Sequence, residues 1–221
     1  KEIKINGTQY DSYSRLDKFG PVEYLKLYNL CKKYNIEFMS TPFDEDAVEM
    51  LLNIGMKGFK IASCDITNLP LLEKIAKTKM PILLSTGASD LKEIKFAVNY
   101  IQNSGNKKIC IMQCTLCYPT QPKDANLSAI IEIKNTFKNN VIGLSDHTLG
   151  INIASASTLY GVRVIEKHFT YNKKLLVSAD HPISIDAKEL RLLRKNVDEL
   201  ILSIGSGNKK ELNCEKKTRK L

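Results

Sequence analysis

The chain has 221 residues, enough for one large domain or two small ones, and 43% of them are hydrophobic, which excludes intrinsic disorder and collagen-like repeats. Lys and Arg number 33 against 24 Asp and Glu, a formal charge of +9, but the densest basic cluster is the tail at Lys209-Lys210 and Lys216-Lys217-Thr218-Arg219-Lys220. With no Trp and no basic stripe interleaved with aromatics, no nucleic-acid partner is expected. No apolar run approaches the roughly 18 residues that span a membrane. The opening Lys1 to Ile5 has no signal-peptide core, so a cytoplasmic protein without a membrane partner is expected. The cysteines Cys31, Cys64, Cys110, Cys114, Cys117 and Cys214 are scattered through a chain too large to need disulfides and read as reduced thiols.

In chain order, residues 1–20 read as loop, and a helix is predicted over Pro21 to Lys33. Six strand-length apolar runs follow: Ile36 to Thr41, Gly58 to Ser63, Pro81 to Thr86, Lys108 to Thr115, Val141 to Asp146 and Val162 to His168. Between them, apolar residues recur at helical spacing over Asp44 to Asn53, Leu69 to Lys77, Asp90 to Asn103, Asn126 to Asn139 and Ile151 to Tyr160. Asp44, Asp90 and Asn126 are placed to cap helices, and a final helix is expected from Asp186 to Ser203.

Alternating strands and helices allow an open doubly wound sheet or a closed (β/α)8 barrel. All six strands end in polar or reactive residues, including Ser40-Thr41, Lys60 with Ser63, Ser85-Thr86-Gly87, Gln113-Cys114-Thr115, Ser145-Asp146-His147 and Glu166-Lys167-His168. An open sheet gathers its chemistry at one switch point, whereas a barrel collects it from every strand end, so the barrel is favoured. A complete barrel needs eight strands, so the expectation is a truncated TIM barrel of the α/β class.

Two of the three histidines, His147 and His168, end consecutive strands, where imidazoles at equal depth could share a divalent metal or merely cap loops. Period-two alternation puts Glu166 on the face of His168 and Ser145 on that of His147. Ser85-Thr86-Gly87, ahead of a helix opened by Asp90, suits a phosphate. Lys60 interrupts an apolar run and points either to solvent or into a functional cavity. Cys114-Thr115-Leu116-Cys117 lacks the second pair of a zinc site and a thioredoxin-like context, so no metal or redox role is assigned to it.

Taken together, Phe38-Met39-Ser40-Thr41-Pro42-Phe43-Asp44, Phe59-Lys60-Ile61-Ala62-Ser63, Ser85-Thr86-Gly87, Gln113-Cys114-Thr115, Tyr118-Pro119-Thr120, Gly143-Leu144-Ser145-Asp146-His147-Thr148-Leu149-Gly150, Ile165-Glu166-Lys167-His168-Phe169-Thr170 and Ser178-Ala179-Asp180-His181 resemble the sialic acid synthase family, the phosphoenolpyruvate-dependent nonulosonate synthases. The resemblance implies a (β/α)8 barrel followed by a small antifreeze-like domain, and a domain-swapped homodimer in the full-length form. It implies a divalent metal, usually Mn2+ with Mg2+ or Co2+ as alternatives, on His147 and His168. It assigns phosphoenolpyruvate to Lys60, Ser63, Ser85, Thr86, Gly87 and Ser145 with Thr41 nearby, and the amino sugar to Tyr118 and Asp180. Glu166, Lys60 and Asp180 are the implied catalytic residues. The implied reaction condenses phosphoenolpyruvate with N-acetylmannosamine or a related N-acylated hexosamine.

The departures are as specific. Neither the family's first two strands nor its K-F-Q motif is found, and Leu116 stands where Asn or Ser is usual. Residues 1–204 are therefore expected to form a partial barrel, and 205–221 the start of a linker toward an absent antifreeze-like domain. The alternative reading is an inactive remnant that binds only ligand or a partner subunit.

Overall fold

The computed structural model describes residues 14, 18–175 and 178–220, so most of the segment expected to be loop at 1–20 lies outside the described residues. Helix α1 (Pro21–Lys33) leads through an extended stretch to α2 (Glu45–Ile54). Four βα units follow: β1 (Phe59–Ile61) and α3 (Leu69–Lys77), β2 (Ile82–Ser85) and α4 (Leu91–Asn103), β3 (Ile109–Cys114) and α5 (Ala129–Thr136), β4 (Val141–Asp146) and α6 (Asn152–Ser157). Strand β5 (Val164–Lys167) and the long α7 (Ala187–Ser203) close the series. The strands are parallel and adjacent in sequence order, β1 to β5, and curl as a half-barrel.

Helix starts follow local chemistry. Asp44 accepts the Ala47 amide at 2.6 Å, and Asp90 forms a reciprocal capping box with Glu93. Asn126 does not cap: it adopts φ 46°, and α5 begins later, at Ala129. A turn at Pro122–Asp124 followed by this left-handed residue keeps the chain from entering the helix sooner.

The first predicted strand is also corrected. Ile36 to Thr41 contributes a single parallel bridge, Ser40 to Phe59, with the Lys60 amide donating to the Ser40 carbonyl at 3.2 Å. Pro42 has no amide hydrogen to extend the ladder, so pairing stops there. Phe38 is nevertheless anchored, edge-on between Tyr24 and Tyr28 of α1.

Alternation sorts the strands into two faces. Phe59 and Ile61, Ile82 and Leu84, Ile109 and Ile111, and Ile142 and Leu144 are all buried against Leu72, Ile75, Val98, Ile101 and Ile133 of the helices. That layer is the main core. A second cluster of Ile151, Ala154, Ile185 and Leu193 packs α6 against α7 under Ile165. The opposite face carries Lys60, Ser85, Cys114, Ser145 and Glu166. Beyond α7, residues 205–219 are exposed. No helix among the described residues is long and apolar enough to cross a membrane.

Candidate active site

Parallel pairing brings the C-terminal strand ends to one rim. The registers Cys114↔Ser145, Ser145↔Glu166 and Asp146↔Lys167 set residues from three strands side by side. A depression of about 250 Å³ at this rim is lined by Thr41, Lys60, Ser145, His147, Glu166 and His168, among others.

On its floor, Ser145 Oγ donates to Glu166 Oε1 at 2.7 Å, and the same oxygen lies 3.8 Å from Lys60 Nζ. Burial pushes the Lys60 ammonium below its usual range, and the Glu166 carboxylate opposes part of that shift. The lysine therefore faces the cavity rather than solvent, its side chain only 12% exposed.

The imidazoles of His147 and His168 stand 5.3 Å apart between ring centroids. His147 Nδ1 lies 2.9 Å from the Thr115 carbonyl, which can only accept, so Nδ1 carries the proton and Nε2 keeps a lone pair. His168 Nδ1 is 4.0 Å from Asp180 Oδ2. Tyr118 sits against both, its ring 4.2 Å from that of His147 and 5.8 Å from that of His168. Two imidazoles at this spacing, one oriented through its second nitrogen, suit a borderline divalent cation with open positions. Among the described residues no group of three or more His, Cys, Asp and Glu is poised around a metal. The third histidine, His181, is elsewhere, 2.8 Å from Thr170 Oγ1.

The phosphate-type loop is more selective than its sequence implied. Ser85 Oγ is buried without a hydrogen-bond partner, and an orphaned hydroxyl here is a position for a ligand oxygen. Thr86 Oγ1 is spent on the Met112 carbonyl at 2.8 Å, and the Gly87 amide on Ser63 Oγ at 2.9 Å. A Cβ on Gly87 would fall 2.9 Å from Ser63 Oγ, so only glycine lets these two strand ends close together.

Two features escaped sequence reasoning. Cys114, part of the C-x-x-C to which the sequence assigns no metal or redox role, is buried beside the site, with Sγ 4.0 Å from His147 Nδ1 and 3.7 Å from Ser63 Oγ. Burial raises its thiol pKa, but the His147, Ser63 and Ser145 contacts outweigh this and hold it below the usual value. Burial likewise lowers the His147 pKa, and Cys114 with the Thr115 carbonyl turns the net shift upward. Its parity with Met112 on β3 was the available signal. The other is an ion pair between Asp146 and Lys167, each immediately preceding one of the two histidines.

Residues 1–209 match the NeuB family. The chain is 44% identical over 188 residues to the N,N'-diacetyllegionaminic acid synthase of Campylobacter jejuni, covering 84% of this chain and 56% of that protein. It is 38% identical over 220 residues to the N,N'-diacetyllegionaminic acid synthase of Legionella pneumophila, covering 98% and 61%. The crystal structure of the N-acetylneuraminic acid synthetase of Leptospira borgpetersenii in complex with citrate superposes with a TM-score of 0.85 at 33% identity, covering 95% of this chain and 76% of that one. The chain thus spans a little under two thirds of the length of these curated relatives.

Proposed function

The chain belongs to the NeuB family, and from that premise we propose that it carries the condensing site of a phosphoenolpyruvate-dependent nonulosonic acid synthase acting on N-acetylmannosamine or a related N-acylated hexosamine. The observation that carries the reading is the single rim on which His147, His168, Lys60 and Glu166 converge, with the unpartnered Ser85 hydroxyl on the same face of the sheet at the end of β2. Relatives that are themselves nonulosonate synthases support the reaction class.

In this reading Lys60 and Ser85, with Ser63 and Ser145 beside them, hold the phosphate and carboxylate of phosphoenolpyruvate and so align its methylene carbon with the aldehyde. His147 and His168 would hold a divalent cation such as Mn2+, which supplies a Lewis acid for the aldehyde oxygen. A new C–C bond forms from the enol carbon to the aldehyde carbon, the oxygen formed there takes a proton, water adds at the enol C2, and phosphate leaves with its bridging oxygen. Glu166, fixed by Ser145 and facing Lys60, is the carboxylate placed to accept or return a proton. Tyr118 and Asp180 border the histidines on the side left for the sugar.

The test is phosphate release from phosphoenolpyruvate and N-acetylmannosamine or a diacetylated acceptor, with the product identified by mass spectrometry. Mn2+-dependent turnover that is lost in Lys60→Ala and in His147→Ala with His168→Ala is expected. Turnover indifferent to these changes would remove the assignment. A second reading, ligand binding without turnover, is favoured by one observation: Leu116 presents an apolar side chain, 46% exposed, where a polar sugar contact is expected. Phosphoenolpyruvate binding without turnover of any N-acylated hexosamine would select it.

A further inference from the structure

Behind the imidazoles, on the helix-facing side of the sheet, Lys167 Nζ donates to Asp146 Oδ2 at 2.8 Å, with side chains 4% and 3% exposed. Asp146 also accepts from the Thr148 amide at 2.9 Å and from Thr148 Oγ1 at 3.1 Å. Lys167 Nζ donates in addition to the Thr148 carbonyl. The cluster lies in a layer otherwise made of residues such as Leu144 and Ile165. Burying a charge pair there stabilises little relative to apolar side chains of similar volume, so its presence calls for another reason.

Its place in the ladder supplies one. Asp146↔Lys167 is the last paired rung between β4 and β5. His147 and His168 each lie one residue beyond it, where main-chain pairing between the two strands no longer fixes their spacing. Alternation turns the ion-pair side chains to the helix-facing side of the sheet and the imidazoles into the cavity, whose lining Asp146 and Lys167 also join. We propose that Asp146 and Lys167 are positioning residues that carry the β4–β5 register past its last rung and so set the separation and tilt of the two imidazoles. The Thr148 bonds close the device around His147 from its other side. The inference rests on the reading of His147 and His168 as paired ligands, and the pair acts on any cation they hold by pre-setting the distance between them.

The test exploits the difference between stability and geometry. Replacing both members with apolar side chains, Asp146→Leu with Lys167→Met, avoids a lone buried charge and is expected to leave the metal-free unfolding midpoint near that of the wild type. Calorimetric titration with Mn2+ is expected to show affinity at least tenfold weaker. The nitrogen-15 resonance of the His147 Nδ1–H, bonded to the Thr115 carbonyl in the wild type, is expected to shift or vanish without any metal. Should the double variant not fold, Thr148→Val cuts only the hydroxyl contact to Asp146, and the same two readouts are expected to move less far in the same direction. Wild-type affinity and an unmoved imidazole signal in the folded variant would overturn the proposal. If wild-type protein does not bind Mn2+, or binds it equally after His147→Ala with His168→Ala, the metal reading fails instead. The metal-free imidazole signal then decides the positioning role alone, and an unmoved signal overturns it.

Discussion

Lys60 shows how function sets a residue against its surroundings. Its ammonium is pushed toward the neutral form by burial, and Glu166 at 3.8 Å compensates only in part. Lys60→Met keeps the stem that packs in the strand and removes the charge, leaving Glu166 hydrogen-bonded to Ser145 and open to water. We expect this variant to be more stable by about 1 kcal/mol in urea unfolding while losing phosphoenolpyruvate binding, the trade found where a site stores strain. Equal stability and retained binding would show that the lysine is a surface cation. Cys110 illustrates the opposite case, a group with no role in the site. Burial alone pushes its thiol up to about 12. The native state then keeps a proton that the unfolded chain releases above its ordinary value near 9. Stability tied to that proton is complete below the unfolded value and is lost as pH rises through this window, by at most about 1.4 kcal/mol per pH unit. Urea unfolding between pH 8 and 11 should fall less steeply for Cys110→Ala than for wild type, and parallel slopes would contradict the assignment.

At the level of elements, the helix starts at Asp44 and Asp90 were readable from single side chains, whereas the extent of the first expected strand was not. Asp44 and Asp90 cap as their positions imply, because a carboxylate at an N-cap meets amides that have no other partner. Asp90→Ala removes the side-chain half of the α4 box, the acceptor for the Glu93 amide, and keeps the backbone amide on which Glu93 closes. It should cost about 1 kcal/mol and lower the melting temperature by about 2–4 °C, measurable by calorimetry. An unchanged midpoint would mean that α4 is held by packing alone. Asn126 has the composition of a cap but a positive φ, and Ile36 to Thr41 has the composition of a strand but makes one bridge. Capping is a local interaction between near neighbours, whereas strand length depends on what lies alongside.

For the whole molecule, the five-stranded sheet leaves β5 with only the Phe169–Ile185 bridge beyond β4 among the described residues. Apolar side chains gather near that edge and along α7, including Phe169, Ile201, Leu202 and Ile204, all exposed. An open edge beside apolar surface favours association. Sedimentation velocity on the 221-residue chain should show concentration-dependent association, and Leu202→Lys with Ile204→Lys should reduce it. A monodisperse monomer at high concentration would rule this out. The sequence by itself determined the alternation of strands and helices, the polar strand ends and the specific pair of histidine motifs, because each depends on periodicity or on neighbours a few residues apart. It also separated the faces of the last two strands, since Ser145 with His147 and Glu166 with His168 follow period two without reference to other strands. Only the tertiary structure decided that Ser85 is left unpartnered while Thr86 is spent on Met112, and that Cys114 joins His147. The same holds for the Asp146–Lys167 pair closing behind the site. These are contacts between strands tens of residues apart, and their register is set by packing and pairing across the sheet, which no single segment encodes.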